Sequence, residues 1–418
     1  MERTDLSRAL EAGVGRIVPD SPRRIRDDPP HLVSELDPFK FMTAFADAVA
    51  GEGEVFLCNP DWGATERAQL AAMLALRSPL SAPCSNLGWL MIPTGGTSGQ
   101  LKFARHDEKT LAAAVDGFTR HFGLVRVNAV GVLPLHHVSG LMAWLRCVLT
   151  GGEYRPLDWK TVEAGPPPDL PARPEGWVVS LVPTQLERLL RREESVAWLR
   201  QFRLICLGGA PAAPALLGQA AALRLPLAPG YGMTETAAMI TALRSSEFLA
   251  GARSCGPALP HVAVKISAEG AVILGGESLF RGYYPGWRDA GDFVTADAGW
   301  LDAQDELHVR GRRDAAIITG GEKVDPAEVE AALRGTGEFT AVVVLGVADP
   351  EWGETVVAAY PASDRPDLAR VRETVGRLLT PAKRPKRFVP LADWPENAQG
   401  KVDRARLRGL IQDLKAEI

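Results

Sequence analysis

Cysteine is scarce in this chain: five in 418 residues, widely spaced and with no C-x-x-C. Such a set indicates neither a disulfide framework nor a cysteine zinc site, and it reads as buried, inert thiols. No uninterrupted apolar run approaches the roughly 20 residues that cross a bilayer. The start, Met1-Glu2-Arg3-Thr4-Asp5, lacks the basic-then-apolar order of a signal peptide. These absences predict a cytoplasmic chain. A basic excess is missing too: 47 Lys plus Arg stand against 51 Asp plus Glu, so no nucleic-acid or anionic-membrane surface is indicated. Only ten of those 47 basic residues are lysine, which makes a lysine inside a motif informative.

What is present is an ordinary globular composition, 46% apolar and 23% charged, in a chain long enough for several domains. From about residue 86 to 240, short apolar runs alternate with helical periodicity. Strands are expected at 87–93, 129–135, 177–182, 204–207 and 226–227. Helices are expected after Asp107 and at 139–149, 184–192 and 214–223. That alternation predicts a parallel sheet covered on both faces, with ligands at the carboxyl ends of its strands. Between about 260 and 310, β runs at 262–266, 271–274 and 306–309 lack helices between them, as in a small β subdomain. After Arg312 helices return, one of them announced by the cap Asp325 and by Pro326. The fold class is therefore α/β. A large N-terminal domain (1–310) combines parallel-sheet α/β subdomains with the small β subdomain, and a small α+β C-terminal domain (311–418) follows a boundary at 311–315.

Two loops stand out at strand ends. Pro93-Thr94-Gly95-Gly96-Thr97-Ser98-Gly99-Gln100-Leu101-Lys102 has glycines for close backbone approach, hydroxyl donors and one lysine. It is either a phosphate cradle or a flexible Gly/Thr turn, and it is not a Walker A loop. Tyr231-Gly232-Met233-Thr234-Glu235-Thr236 follows a short strand. There, amides at a helix start and the Thr234 hydroxyl can hold phosphate, with Glu235 as a Mg²⁺ ligand. An ordinary capped helix start is the alternative.

Together these segments resemble the adenylate-forming superfamily of acyl-CoA synthetases, luciferases and peptide-synthetase adenylation domains. The Thr/Gly loop is similar to T-S-G-T-T-G-x-P-K, and Leu133-Pro134-Leu135-His136-His137 to L-P-L-F-H. Leu207-Gly208-Gly209-Ala210-Pro211 resembles the adenine-contacting G-G-A, and Tyr231–Glu235 resembles Y-G-x-T-E. Thr295-Ala296-Asp297 stands where T-G-D supplies a ribose-binding aspartate, and Gly311-Arg312 opens the hinge segment. Thr319-Gly320-Gly321-Glu322 looks like the hairpin near the CoA tunnel. Pro395-Glu396-Asn397-Ala398-Gln399-Gly400-Lys401 looks like the segment that carries the catalytic lysine. Gly95, Leu101, Ala296 and a pivot at Ala315 depart from the family pattern.

The resemblance implies ATP, Mg²⁺ and CoA as partners of a small-molecule carboxylate, and a homo-oligomer is compatible with it. It also implies that the C-terminal domain is mobile about a hinge at 311–315. Lys401 would bridge the carboxylate and the α-phosphate. Thr94, Gly96, Thr97, Ser98, Gly99 and Lys102 would hold the outer phosphates. Thr234 would bond the α-phosphate, and Glu235 would hold Mg²⁺. Gly209, Ala210, Tyr231, Gly232, Met233, Asp297 and Arg312 would contact the nucleoside, and Gly320 and Gly321 would approach CoA. His137 would sit against the acyl carboxylate, while His136 is assigned to the core. Ser180–Leu186 and His137–Gly140 look most like the o-succinylbenzoate–CoA ligase branch, which serves menaquinone and phylloquinone biosynthesis. On that likeness His137, Ser139, Gly140, Thr184, Gln185 and Gly208 line the acyl pocket. Another aryl or acyl acid, or a carrier thiol as acceptor, stays open.

Overall fold

Leucine- and valine-rich runs bounded by Gly, Pro and Asn form the strands, which among the described residues pair into four sheets. The structure, a computed structural model, describes residues 29–51, 53–75, 88–94, 100–170, 176–313, 317–320, 322–349, 351–396 and 402–416. In the first sheet β1 (His31–Val33), β2 (Val55–Leu57) and β3 (Leu90–Thr94) run parallel, and β4 (Lys102–His106) folds back on β3. Side chains alternate across it as the pleat requires. Val55 and Leu57 meet the helices Pro38–Ala50, Glu108–Phe122 and Val138–Thr150, while Phe56 faces Phe103 and Tyr284 on the other side.

The second sheet has the order β10-β9-β8-β7-β5-β6. β5 (Asn128–Gly131), β6 (Tyr154–Pro156), β7 (Trp177–Leu181), β8 (Leu204–Leu207) and β9 (Leu227–Met233) are parallel, and β10 (Ala238–Ala242) is an antiparallel edge. The helices Glu108–Phe122 and Val138–Thr150 cover one face, where Phe118, Cys147, Val178, Cys206 and Ala228 pack together. Pro183–Leu189, Glu193–Leu199 and Pro214–Ala222 cover the other. Burial on both faces explains why β8 is apolar at every position. The start of Glu108–Phe122 is set by Asp107, whose Oδ1 accepts from the Lys109 and Thr110 amides at 3.0 Å each, and its end by Gly123 at φ 62°.

A third, antiparallel sheet is the meander β11 (Val262–Ile266), β12 (Ala271–Gly276), β13 (Phe293–Leu301) and β14 (Leu307–Arg312). β13 was not anticipated, because its T-A-D-A-G-W run has no clean alternation. The last sheet contains β15 (Ile317–Thr319), β16 (Glu322–Val324), β17 (Val343–Asp349), β18 (Gly353–Pro361) and β19 (Arg387–Leu391). Pro326–Arg334 and Leu368–Leu378 pack on one face of it and Arg404–Ala416 on the other. The molecule is thus α/β with a C-terminal α+β unit. Among the described residues an ion-pair group joins that unit to the second sheet's helices: Arg188 donates to Glu163 at 2.9 Å and to Glu396 at 3.1 Å. No helix among the described residues is long and apolar enough to cross a membrane.

Candidate active site

The carboxyl ends of β8 and β9 meet the β3–β4 hairpin and the β13–β14 ladder, and the candidate residues gather there. β9 runs on through Tyr231 and Gly232 to Met233, seven residues where the sequence pattern suggested two. The expected helix start after it is a correction. Thr234–Thr236 is a single three-residue 3-10 turn that ends in Ala237 and Ala238 at φ 51° and 78°, and the chain returns as β10. The turn cannot lengthen because β10 pairs back at once, Ala238 opposite Met233. Gly232 has no space for a side chain there: a Cβ would lie 2.0 Å from the Ala238 carbonyl oxygen. From beneath, the Nε2 of His106 donates to the Thr234 carbonyl at 2.8 Å. Burial lowers the pKa of this imidazole to about 4, so it is neutral.

Around that turn lie two tyrosine–carboxylate pairs. The Tyr231 hydroxyl donates to Asp297 Oδ2, and the Tyr283 hydroxyl donates to Glu235 Oε1, each at 2.6 Å. Burial raises both phenol pKa values, and the neighbouring carboxylate charges raise them further, so both stay protonated donors. Asp297 stands opposite Arg312 across the β13–β14 ladder. Lys102 stands opposite Thr94 across the β3–β4 hairpin, with its Nζ 5.7 Å from the centre of the Tyr283 ring. Lys102, Tyr283, Glu235, Tyr231, Asp297 and Arg312 therefore form one polar strip. Glu235 is 9% exposed, and its second oxygen has no hydrogen bond among the described residues. One available carboxylate fits Mg²⁺ held largely by a nucleotide's phosphates. Among the described residues no cluster of three His, Cys, Asp or Glu could cage a metal.

Of the residues expected to line the acyl pocket, His137 is the last residue before the helix Val138–Thr150, half-buried, with its ring 4.4 Å from that of His136. His136 is buried, and its Nε2 has no hydrogen-bond partner among the described residues. Gly140 lets the helix approach the preceding loop, since a Cβ would lie 2.2 Å from the Pro134 carbonyl oxygen. Ser139 is half-buried one position before it. Gln185 is 2% exposed, and its Oε1 accepts the Val182 amide at 3.2 Å, capping the helix Pro183–Leu189. That oxygen is thereby engaged. Thr184 is half-buried, Gly208 follows β8, and Gly209 (φ 81°) and Ala210 are exposed beyond it. Gly320 lies in the C-terminal unit, its amide bonded to the Trp352 carbonyl at 2.8 Å. Gly96, Thr97, Ser98, Gly99, Ala315, Gly321 and Lys401 lie outside the described residues.

Sequence reasoning missed Arg146. It lies two helical turns beyond Ser139 on the same face of the helix. It is 4% exposed, with its guanidinium carbon 3.8 Å from the centre of the Phe118 ring. Cys206, two residues before Gly208, is among the groups it interacts with. Burial pulls its pKa below the usual arginine value, its Nε has no hydrogen-bond partner, and no carboxylate pairs with it among the described residues. His261, close by, has neither ring nitrogen partnered among the described residues, and burial lowers its pKa to about 4. The signal was a lone arginine on the buried side of an otherwise apolar helix.

Residues 54–284 match the AMP-binding enzyme family, and residues 328–401 match the AMP-binding enzyme C-terminal domain. The chain belongs to the AMP-binding enzyme family. Among its relatives is a 2-succinylbenzoate–CoA ligase of Enterococcus faecalis, 32% identical over 75% of this chain and 67% of that protein. An indoleacetate–CoA ligase of Aromatoleum aromaticum is 29% identical over 95% of this chain and 80% of its own. The o-succinylbenzoate CoA synthetase of Bacillus subtilis, solved with its acyl-adenylate intermediate, has the same fold: TM-score 0.76, 22% identity, covering 97% of this chain and 92% of that one. As an AMP-binding family member, the chain is an AMP-forming ligase.

Proposed function

We propose that this AMP-binding enzyme joins o-succinylbenzoate to CoA at the expense of ATP. The substrate's carboxylate oxygen attacks the α-phosphorus, the α–β bond breaks, and pyrophosphate leaves. The CoA thiol then attacks the acyl carbonyl, losing its proton, and AMP departs. Positioning and charge stabilisation carry most of such catalysis. In this reading Asp297 and Arg312 take the ribose hydroxyls, with Tyr231 fixing the Asp297 carboxylate. Thr234 meets the α-phosphate, and Lys102 with the Thr94–Lys102 loop takes the outer phosphates. Glu235 would hold Mg²⁺, which supplies positive charge against the phosphates. Lys401, from the C-terminal unit, would draw the two reacting anions together, and His137 would face the carboxylate. Rotation of residues 311–418 about the hinge would exchange Lys401 for the Gly320-Gly321 hairpin before CoA attacks.

The observation that carries the substrate is Arg146. A buried guanidinium without a counter-charge is costly to keep, and a second carboxylate on the substrate supplies the missing partner. o-Succinylbenzoate has two carboxylates, one to be activated and one to be held. The named activity of the Enterococcus relative supports the same choice, and with it a cytoplasmic role in menaquinone biosynthesis. The Aromatoleum relative, which spans nearly the whole chain, favours a second reading, an aryl acid with a single carboxylate. Pyrophosphate release with o-succinylbenzoate, indoleacetate, benzoate and octanoate, with and without CoA, separates them. Faster turnover of any monoacid than of o-succinylbenzoate rejects the proposed substrate.

A further inference from the structure

Tyr283 reaches the site from a segment that belongs to a different part of the sequence. The backbone after Phe280 adds alongside β4: the Arg281 amide bonds to the Arg105 carbonyl at 2.8 Å, the Arg105 amide to the Gly282 carbonyl at 2.9 Å, and the Tyr284 amide to the Phe103 carbonyl at 2.9 Å. As in any strand, neighbouring side chains then point to opposite faces. Tyr284 is buried against Phe56, while Tyr283, 37% exposed, faces the site. Arg105 fastens the segment further, donating to the Gly286 and Pro285 carbonyls at 3.2 Å each, pairing with Glu54 at 2.9 Å, and lying against the Tyr284 and Trp287 rings. The Phe280 amide bonds to the Glu235 carbonyl at 2.8 Å, and the Phe280 ring packs against that of Tyr283. The phenol is thus held by contacts that do not involve the Glu235 carboxylate, and it is free to act on it.

We propose that Tyr283 is a positioning residue for the metal–phosphate end of the nucleotide site. Its hydroxyl orients the Glu235 carboxylate, and its ring face seats Lys102. Glu235 and Lys102 carry opposite charges in one strip, yet they are not paired with each other among the described residues. The tyrosine engages the anion through its O–H and the cation through its π face. It leaves the second Glu235 oxygen for a divalent cation and the ammonium for phosphate. A protonated phenol at this position can only donate to the carboxylate, so it fixes the orientation without competing for the metal.

This inference rests on the reading of Glu235 as the metal-binding carboxylate, and its test separates the two. Tyr283→Phe keeps the ring, its packing and its contact with Lys102, and removes only the hydroxyl. The readout is Mn²⁺ binding, followed by the electron paramagnetic resonance of free Mn²⁺, to the full-length protein saturated with α,β-methylene-ATP, which cannot be cleaved to AMP. Glu235→Gln is measured beside it. Losing an orienting partner of a metal ligand typically costs 10–100-fold in affinity, so Tyr283→Phe should weaken Mn²⁺ binding by about tenfold. AMP affinity should stay within about twofold, since AMP lacks the phosphates concerned. Unchanged Mn²⁺ affinity in Tyr283→Phe, with a loss in Glu235→Gln, overturns the role of Tyr283 alone. Unchanged affinity in both variants overturns that role and the metal reading of Glu235 together. An equal loss of AMP and Mn²⁺ binding in Tyr283→Phe makes the residue a general support of the site and likewise overturns the proposal.

Discussion

Replacing Arg146 with methionine separates stability from specificity, because the two should move in different directions. In the folded protein the guanidinium is 4% exposed, lies on the Phe118 ring, and has no carboxylate partner among the described residues. Its burial opposes folding, and methionine fills a similar volume without a charge. Exchanging a buried charge for a well-packed apolar side chain is often neutral or stabilising. The melting temperature should therefore hold or rise. If the arginine holds the second carboxylate of the substrate, truncation removes a buried, charge-assisted contact worth about 2–4 kcal/mol. At 1.4 kcal/mol per decade that is a loss of about 30- to 700-fold in kcat/KM for o-succinylbenzoate. Benzoate, which has no second carboxylate, should lose nothing, and so its rate relative to o-succinylbenzoate should rise. Pyrophosphate release with both acids, with thermal unfolding of the same samples, measures all three quantities. A variant that melts lower and loses activity equally with both acids refutes the reasoning, because Arg146 would then be a structural residue.

Other outcomes follow from geometry already described. Tyr231→Phe removes the 2.6 Å bond to Asp297, and a hydrogen bond to a charged group is worth about 1.5–3 kcal/mol, so calorimetry should show AMP binding at least about tenfold weaker. Gly232→Ala sets a Cβ against the Ala238 backbone, and nucleotide binding should fall sharply, as read by AMP titration, while the C-terminal unit keeps its own packing. His106, His136 and His261 have pKa values of about 4 in the folded protein, below the usual 6.5 of an unfolded histidine. The unfolded chain therefore binds more protons between those values, and stability is lost as pH falls from about 6.5 towards 4. Each histidine contributes a slope of about 1 kcal/mol per pH unit, which melting curves at stepped pH should show and which His261→Gln should flatten.

Much of the architecture was legible because it is written locally. Asp107 before an amphipathic run and Pro326 after Asp325 mark helix starts, and the apolar run Leu204–Leu207 marks a strand buried on both faces. Where the structure departs from these expectations, distant partners decide. The Thr234–Thr236 turn stays one turn long because β10 returns immediately, and no signal within Tyr231–Thr236 carries that information. The long β13 was hidden because its hydrogen bonds come from β12 and β14 while its own side chains do not alternate cleanly. Tyr283 was invisible for a related reason: its partner Glu235 lies 48 residues away in sequence and is brought near by strand addition. Arg146 went unnoticed because a long cationic side chain in a helix usually reaches solvent, and only packing reveals that this one does not.

The Arg188 contact also bears on how tightly the C-terminal unit is tethered at that point. Its side chain and those of Glu163 and Glu396 are each about a third exposed. Ion pairs in such surroundings contribute about 0–1 kcal/mol, which corresponds to an equilibrium bias of no more than about fivefold. Losing Glu396 would not strand the guanidinium, because Glu163 remains beside it on the same side of the joint. Attachment at this point is therefore a near-isoenergetic exchange of neighbours, sensitive to ionic strength and easily reversed.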